Sequence, residues 1–199
     1  VKAVAVVRLG VGNTASVVFA LERLGARAVL TDDPAAVAEA ERVILPGVSS
    51  AGWAMARIAE LGLDEALRAF PRPLLGACLG QQLLYDSSAE GDVACLGLIS
   101  GKVAKLVPAP DRPVPHMGWN RLTIEGNDPL LDGVERGAHA YFVHSFACPT
   151  GPETLASVDY GRPFAAVVRR GNVMGCQFHP ERSAETGARI LNNFLGLPC

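Results

Sequence analysis

The first half of the chain alternates short β-branched apolar runs with stretches of helical spacing. Lys2–Leu9 is one such run, and the turn Gly10-Val11-Gly12-Asn13 leads into Thr14–Leu24, where Val17, Val18, Leu21 and Leu24 share a face. Gly25 ends that helix, and Ala26–Thr31 reads as the next strand. Asp32-Asp33-Pro34 opens a short helix, Arg42–Leu45 is a third strand, and helical patterns follow over Ala51–Leu61 and Leu63–Phe70. Pro73–Ala77 is a fourth strand and Leu79–Asp86 a helix. This order predicts an α/β fold with a doubly wound, mostly parallel central sheet flanked by helices. Sites in such a sheet lie beyond the carboxyl ends of the strands.

The rhythm then changes. Lys102–Val107, Arg121–Ile124, Ala138–Val143, Thr154–Tyr160, Ala165–Arg169 and Asn172–Phe178 read as strands separated by Pro- or Gly-rich turns. They predict an antiparallel extension of the parallel core, closed by a helix over Ala184–Leu195. No repeat, low-complexity tract or linker interrupts the pattern, so residues 1–199 are expected to form one domain.

Composition narrows the function. Net charge is −2 with both signs mixed along the chain, which argues against nucleic acid and anionic membranes as partners. No run reaches the roughly 20 apolar residues of a membrane span. The N-terminal run is too short and too β-branched for a signal peptide and reads as a buried first strand whose initiator Met has been removed. The 5 cysteines are odd in number and none has CxxC spacing, so neither a disulfide framework nor a zinc site is expected. A reducing cytoplasm fits that usage. No metal and no cofactor is expected.

Three short segments carry chemistry. Gly76-Ala77-Cys78-Leu79-Gly80 sits where the fourth strand meets a helix, in the G-x-C-x-G form of a nucleophile elbow. A sharp turn there lifts the thiol out of the sheet beside a helix N-terminus, which favours thiolate and offers backbone N–H groups to an oxyanion. The competing reading is a tight turn around a buried thiol. Phe178-His179-Pro180-Glu181 supplies a base and an orienter: Pro180 biases His179 to extended backbone, where residues two apart point the same way. The third segment is Leu45-Pro46-Gly47-Val48, just after the third strand. In a doubly wound sheet it neighbours the Cys78 loop, and Gly47 permits unusual backbone angles that could turn an N–H towards a reacting carbonyl. His116 and His139 receive no chemical role, and His144, Tyr141, Phe142 and Phe146 read as structural. Met117 and Trp119 are equally readable as core or surface.

These segments resemble the class I glutamine amidotransferases, from near Val4 to near Leu195. Within that family, His116-Met117-Gly118-Trp119-Asn120, Tyr141-Phe142-Val143-His144-Ser145 and Gly12-Asn13 with Ser16-Val17 resemble the glutaminase subunits of imidazole glycerol phosphate synthases. The resemblance implies a Cys78–His179–Glu181 triad that hydrolyses glutamine through a glutamyl thioester. It implies an oxyanion held by the N–H groups of Leu79 and the Gly47–Val48 loop, and a substrate contact from Gln82. It further implies ammonia delivery to a (β/α)8 cyclase subunit in a heterodimer, with Asn13, Trp119 and Arg182 as candidate contacts. Two positions depart from the pattern. Arg8-Leu9 replaces an acidic–aromatic pair, and Ser49 stands where glycine is usual. Rival readings are the glutaminase of another synthase, a non-catalytic glutamine sensor and a cysteine hydrolase of other amides.

Overall fold

The structure, a computed structural model, describes residues 3–10, 12, 14–47 and 49–199. Expectations placed on Lys2, Asn13 and Val48 therefore lie outside the described residues. The first half alternates as its pattern predicts: β1 (Ala3–Val7), α1 (Thr14–Arg23), β2 (Arg27–Thr31), α2 (Pro34–Glu39), β3 (Arg42–Gly47), α3 (Ala51–Glu60), α4 (Leu63–Arg68), β4 (Leu74–Cys78) and α5 (Leu79–Leu83). Local chemistry sets the boundaries. Asp33 caps α2 by accepting the Ala35 N–H at 3.0 Å, and Pro34 takes the first helical position, where its missing N–H costs nothing. Ser50 accepts from Trp53 at the start of α3.

One helix is shorter than expected. The pattern over Leu79–Asp86 ends as a helix at Leu83, and Tyr85–Ser88 becomes β5. β6 (Val93–Ala94), β7 (Ile99–Lys105), β8 (His116–Arg121), β9 (Thr123–Ile124), β10 (His139–His144), β11 (Phe146–Ala147), β12 (Thr154–Asp159), β13 (Pro163–Arg170), β14 (Val173–Cys176) and α6 (Ala184–Gly196) complete the chain. β5, β6, β8 and β11 are additional to the strands read from the sequence.

The main sheet has 8 strands in the order β2-β1-β3-β4-β14-β13-β12-β9. β1 pairs in parallel with β2 and β3, β3 with β4, and β14 returns parallel beside β4. β13, β12 and β9 continue the same sheet antiparallel. A ribbon of β8 and β10 and a 4-stranded sheet, β11-β7-β5-β6, stand apart from it. Alternate residues of each central strand feed opposite faces. Val4 and Val6 of β1 join Ile44, Leu75, Phe178 and Phe194, whereas Ala5 and Val7 join Val43, Leu45, Ile58 and Leu67. α1 and α6 cover the first face; α3 and α4 cover the second. Both faces being covered explains why β3 and β4 read as continuous apolar runs. The carboxyl ends of β3, β4 and β14 lie side by side, which gathers Gly47, Cys78 and His179 at one rim.

Candidate active site

Cys78 ends β4 with φ 55° and ψ −114°, a left-handed backbone that a side-chain-bearing residue rarely adopts. The chain turns there from strand directly into α5. A tight elbow needs neighbours without side chains. A Cβ on Gly80 would land on the Leu45 carbonyl oxygen, and one on Gly47 would press on the Gly80 backbone nitrogen and the Leu79 Cβ. Gly47 itself does not have the positive φ its composition allowed for; the unusual angle falls on Ser49, at φ 84°. Gly47 is needed for space, in register opposite Cys78. Leu79 opens α5, where first-turn N–H groups have no intrahelical acceptor, and no side chain caps that end.

His179 follows β14 in extended backbone, and its Nδ1 lies 2.9 Å from Glu181 Oε1. Glu181 reaches it from within a single 3-10 turn, Pro180–Arg182, rather than along an extended strand. Ser183 stitches this segment down: its Oγ donates to the His179 carbonyl at 2.7 Å and accepts the Tyr141 N–H at 2.9 Å. The His179 N–H in turn donates to the Tyr141 carbonyl at 3.0 Å. Burial alone would push the His179 imidazolium down, but the side chains of Cys78 and Glu181 outweigh it and raise the ring to about 10. With Nδ1 on Glu181, Nε2 is the nitrogen left for Cys78.

Cys78, Leu79, His179 and Gln82 line one cavity of about 250 Å³. Glu90, Ser145 and Phe146 join them, none of which the sequence singled out as site residues. Glu90 accepts the Ala51 N–H at 2.8 Å and brings a carboxylate to the cavity lining. Gln82 donates through Nε2 to the Phe146 carbonyl at 2.8 Å and to Gln177 Oε1 at 3.1 Å. A second cavity of about 240 Å³ shares Gly47, Val143 and His179 with the first. Gly12 and Thr14, on either side of Asn13, reach its lining, as do Glu181 and Arg182.

Two of the three expected contact residues, Trp119 and Arg182, share one neighbour. Trp119 on β8 is 53% exposed and Met117 63%, so neither is core. Trp119 meets Tyr141 edge-on at 5.9 Å, and the Arg182 guanidinium lies over the same Tyr141 ring at 4.9 Å. Among the described residues, no group of three or more His, Cys, Asp or Glu side chains could hold a metal ion. No helix among them is long and apolar enough to cross a membrane.

Fold and site together define a class. The chain belongs to the class I glutamine amidotransferases: the family's sequence profile, Glutamine amidotransferase class-I, matches residues 7–196. It is 54% identical over 192 residues to the imidazole glycerol phosphate synthase subunit HisH of Xylella fastidiosa, covering 96% of each chain. It is 53% identical to the subunit of that name from Xanthomonas axonopodis pv. citri, again over 96% of each. The fold recurs in a solved glutamine amidotransferase (TM-score 0.74, 22% identity, covering 98% of this chain and 99% of that one). It recurs also in PurLQS from Thermotoga maritima (TM-score 0.70, 23% identity, 98% of each). The resemblance read from the elbow and the H-P-E segment is thereby borne out at the level of the family and its doubly wound fold.

Proposed function

We propose that the chain is the glutaminase subunit of an imidazole glycerol phosphate synthase, folded as one domain over residues 1–199 and working in the cytoplasm. The observation that carries the reading is the convergence of Cys78, His179 and the Gly47 backbone at the ends of adjacent strands, with Glu181 hydrogen-bonded behind His179. Relatives above 50% identity over nearly the whole chain support the choice of synthase.

Cys78 is the nucleophile. Its sulfur attacks the side-chain amide carbon of glutamine, and the oxyanion is held by the Leu79 N–H with an N–H of the Gly47–Val48 segment. The imidazolium of His179 then gives its proton to the departing nitrogen, so ammonia leaves and a glutamyl thioester remains. Neutral His179 next takes a proton from water, whose oxygen attacks the thioester through a second oxyanion. Glutamate is released and the thiol is restored. Glu181 orients the ring and favours its charged form. Glu90 supplies a negative charge suited to the substrate's α-ammonium group, and Gln82 contributes a polar contact beside it.

Ammonia leaves through the second cavity, across the wall of Gly47, Val143 and His179. The partner is a (β/α)8 cyclase in a heterodimer, docked over the rim that carries Trp119, Arg182, Gly12 and Thr14. The ammonia-dependent reaction there is a lyase-type cleavage that yields imidazole glycerol phosphate and an aminoimidazole carboxamide ribonucleotide. The test is ammonia release from a panel of amides, with and without purified cyclase and its nucleotide ligand. Glutamine-selective release that rises when cyclase is added is the expected result. Release from other amides, indifferent to cyclase, would favour a free-standing amidase.

A further inference from the structure

Two buried histidines stand outside the reaction above. His116 on β8 and His144 on β10 are partners in the ribbon register and are 4% and 6% exposed. The contacts fix which nitrogens carry protons. His144 Nδ1 lies 2.8 Å from the Phe146 carbonyl oxygen, which can only accept, so Nδ1 is the donor. Nε2 of that neutral ring is then an acceptor, and it receives the Nδ1–H of His116 at 2.9 Å. His116 Nε2 in turn accepts from the Asn120 amide at 3.3 Å. Every step requires both rings to be neutral. Burial provides for that: it pushes His116 down to about 4 and is the main cause that pushes His144 down to about 3.

The relay ends inside the reactive cavity. The Phe146 carbonyl that accepts from His144 also accepts from Gln82 Nε2, at 2.8 Å in both cases. The other Gln82 amide hydrogen goes to Gln177 Oε1 at 3.1 Å. Because a carbonyl can only accept, the Gln82 amide has a single orientation compatible with these neighbours, and its Oε1 remains as the free polar atom. Two stacked aromatic neighbours, Tyr160 at 4.1 Å and Phe142 at 5.0 Å, hold the His116 plane. Burying two imidazoles costs more than burying apolar rings unless the network is satisfied, and this one is satisfied from Asn120 to Phe146.

We propose that His116 and His144 are positioning residues for the glutaminase site: through the Phe146 carbonyl they hold the Gln82 amide so that its oxygen serves as a substrate acceptor beside Cys78. The inference rests on the glutaminase reading. It assigns the histidines a role in substrate binding rather than in bond making, so it separates KM from kcat. The same relay ties the substrate wall to β8, the strand that carries exposed Trp119.

The test uses the full chain with its cyclase, measuring glutamine-dependent ammonia release, with competent sites counted by a thiol-directed glutamine-analogue electrophile. His144→Phe removes the donor to Phe146 and should raise KM for glutamine by about fivefold or more, the effect of losing one buried hydrogen bond. Its kcat per titrated site should stay within about twofold. His144→Asn keeps a donor at the δ position and should restore most of the KM. If His144→Phe does not fold, His116→Phe serves instead: it keeps the ring stacking, removes the donor to His144, and should raise KM in the same direction. Gln82→Leu should raise KM, and adding His144→Phe to it should add little, since both act through one amide. Unchanged KM with fewer titratable sites would make the pair merely structural and overturn the inference. Full additivity with Gln82→Leu would overturn it as well. An unsubstituted complex that releases no ammonia from glutamine would instead overturn the glutaminase reading, and this inference with it.

Discussion

His179 Nδ1 lies 2.9 Å from Glu181 Oε1, and the carboxylate making that contact is only 6% exposed. Burial opposes charge on the ring, while Cys78 and Glu181 together hold it up at about 10. The carboxylate thus acts on the base through a short, shielded contact, and its removal should be costly without being fatal. Glu181→Ala is expected to lose about 10- to 100-fold in kcat/KM and His179→Ala about 1,000-fold or more, since a general acid–base typically contributes 10²–10⁴. Titration of His179 by NMR should move downward in Glu181→Gln. A fully active His179→Ala protein would contradict the mechanism.

The His116–His144 pair has a pH signature of its own. Both rings titrate lower in the folded chain, at about 4 and about 3, than the ordinary 6.5. Between those values and 6.5 the unfolded chain binds more protons, so stability rises with pH there. Their contribution is therefore complete above 6.5 and is lost as pH falls towards 4 and then 3. The groups around the pair are Tyr160, Asn120 and, at longer range, His179; no carboxylate contributes to either shift. Urea unfolding at about pH 7 and about pH 5 should show a decline that is shallower in a His116→Phe/His144→Asn double variant, by up to about 1.4 kcal/mol per pH unit for each proton no longer taken up. An identical decline in both proteins would contradict the assignment.

Ser49 holds φ 84°, a backbone conformation that favours glycine. Left-handed backbone costs a side-chain-bearing residue about 1–2 kcal/mol, and glycine gives back about 0.5–1 kcal/mol through the freedom of the unfolded chain. Ser49→Gly should stabilise the chain by about 0.5–1 kcal/mol in denaturant melts. A loss of similar size would mean that the Ser49 side chain contributes more than its backbone costs.

Trp119 and Arg182 both contact the Tyr141 ring, one edge-on and one by a cation over the ring. Trp119 is about half exposed and outside both core clusters, so Trp119→Ala should cost about 1–2 kcal/mol of melting free energy, well below the roughly 3–5 kcal/mol of a core aromatic. The same substitution should weaken cyclase binding by at least about tenfold, because exposed aromatic anchors dominate interfaces. Titration of the partner alongside thermal melting separates the two effects. Unchanged affinity would move the interface to another face.

The legible parts of this protein were the local ones. A strand, a nucleophile and a helix lie within five consecutive positions at Gly76–Gly80, and base and orienter are two apart at His179 and Glu181, so sequence distance and spatial distance nearly coincide. The β8 strand escaped the same reading because its alternation is inverted. Its large apolar side chains, Met117 and Trp119, point outward, while His116 is buried. Hydrophobic periodicity assumes the opposite. Helix formers in Leu79–Asp86 are confined to Leu79 and Gln81–Leu84; Tyr85, Asp86 and Ser87 favour helix less, and Tyr85–Ser88 pairs with β7 instead. Glu90 reaches the cavity with no motif around it, and Ser145 and Phe146 reach it from the end of the Tyr141–Ser145 run, which carries a resemblance but no chemistry of its own in the sequence. The spatial meaning of Gly47 was visible only once β3 was set against the start of α5.

The central claim is that Cys78 performs covalent hydrolysis of glutamine. The most direct measurement is peptide mapping of the full chain in its cyclase complex after treatment with a glutamine-derived electrophile such as a diazo-ketone analogue, paired with ammonia release by Cys78→Ala. The account predicts one label per chain, on Cys78 and not on Cys95, Cys148, Cys176 or Cys199, blocked by excess glutamine, with no ammonia from Cys78→Ala while its melting curve stays cooperative. A label on another cysteine together with an active Cys78→Ala protein would contradict it.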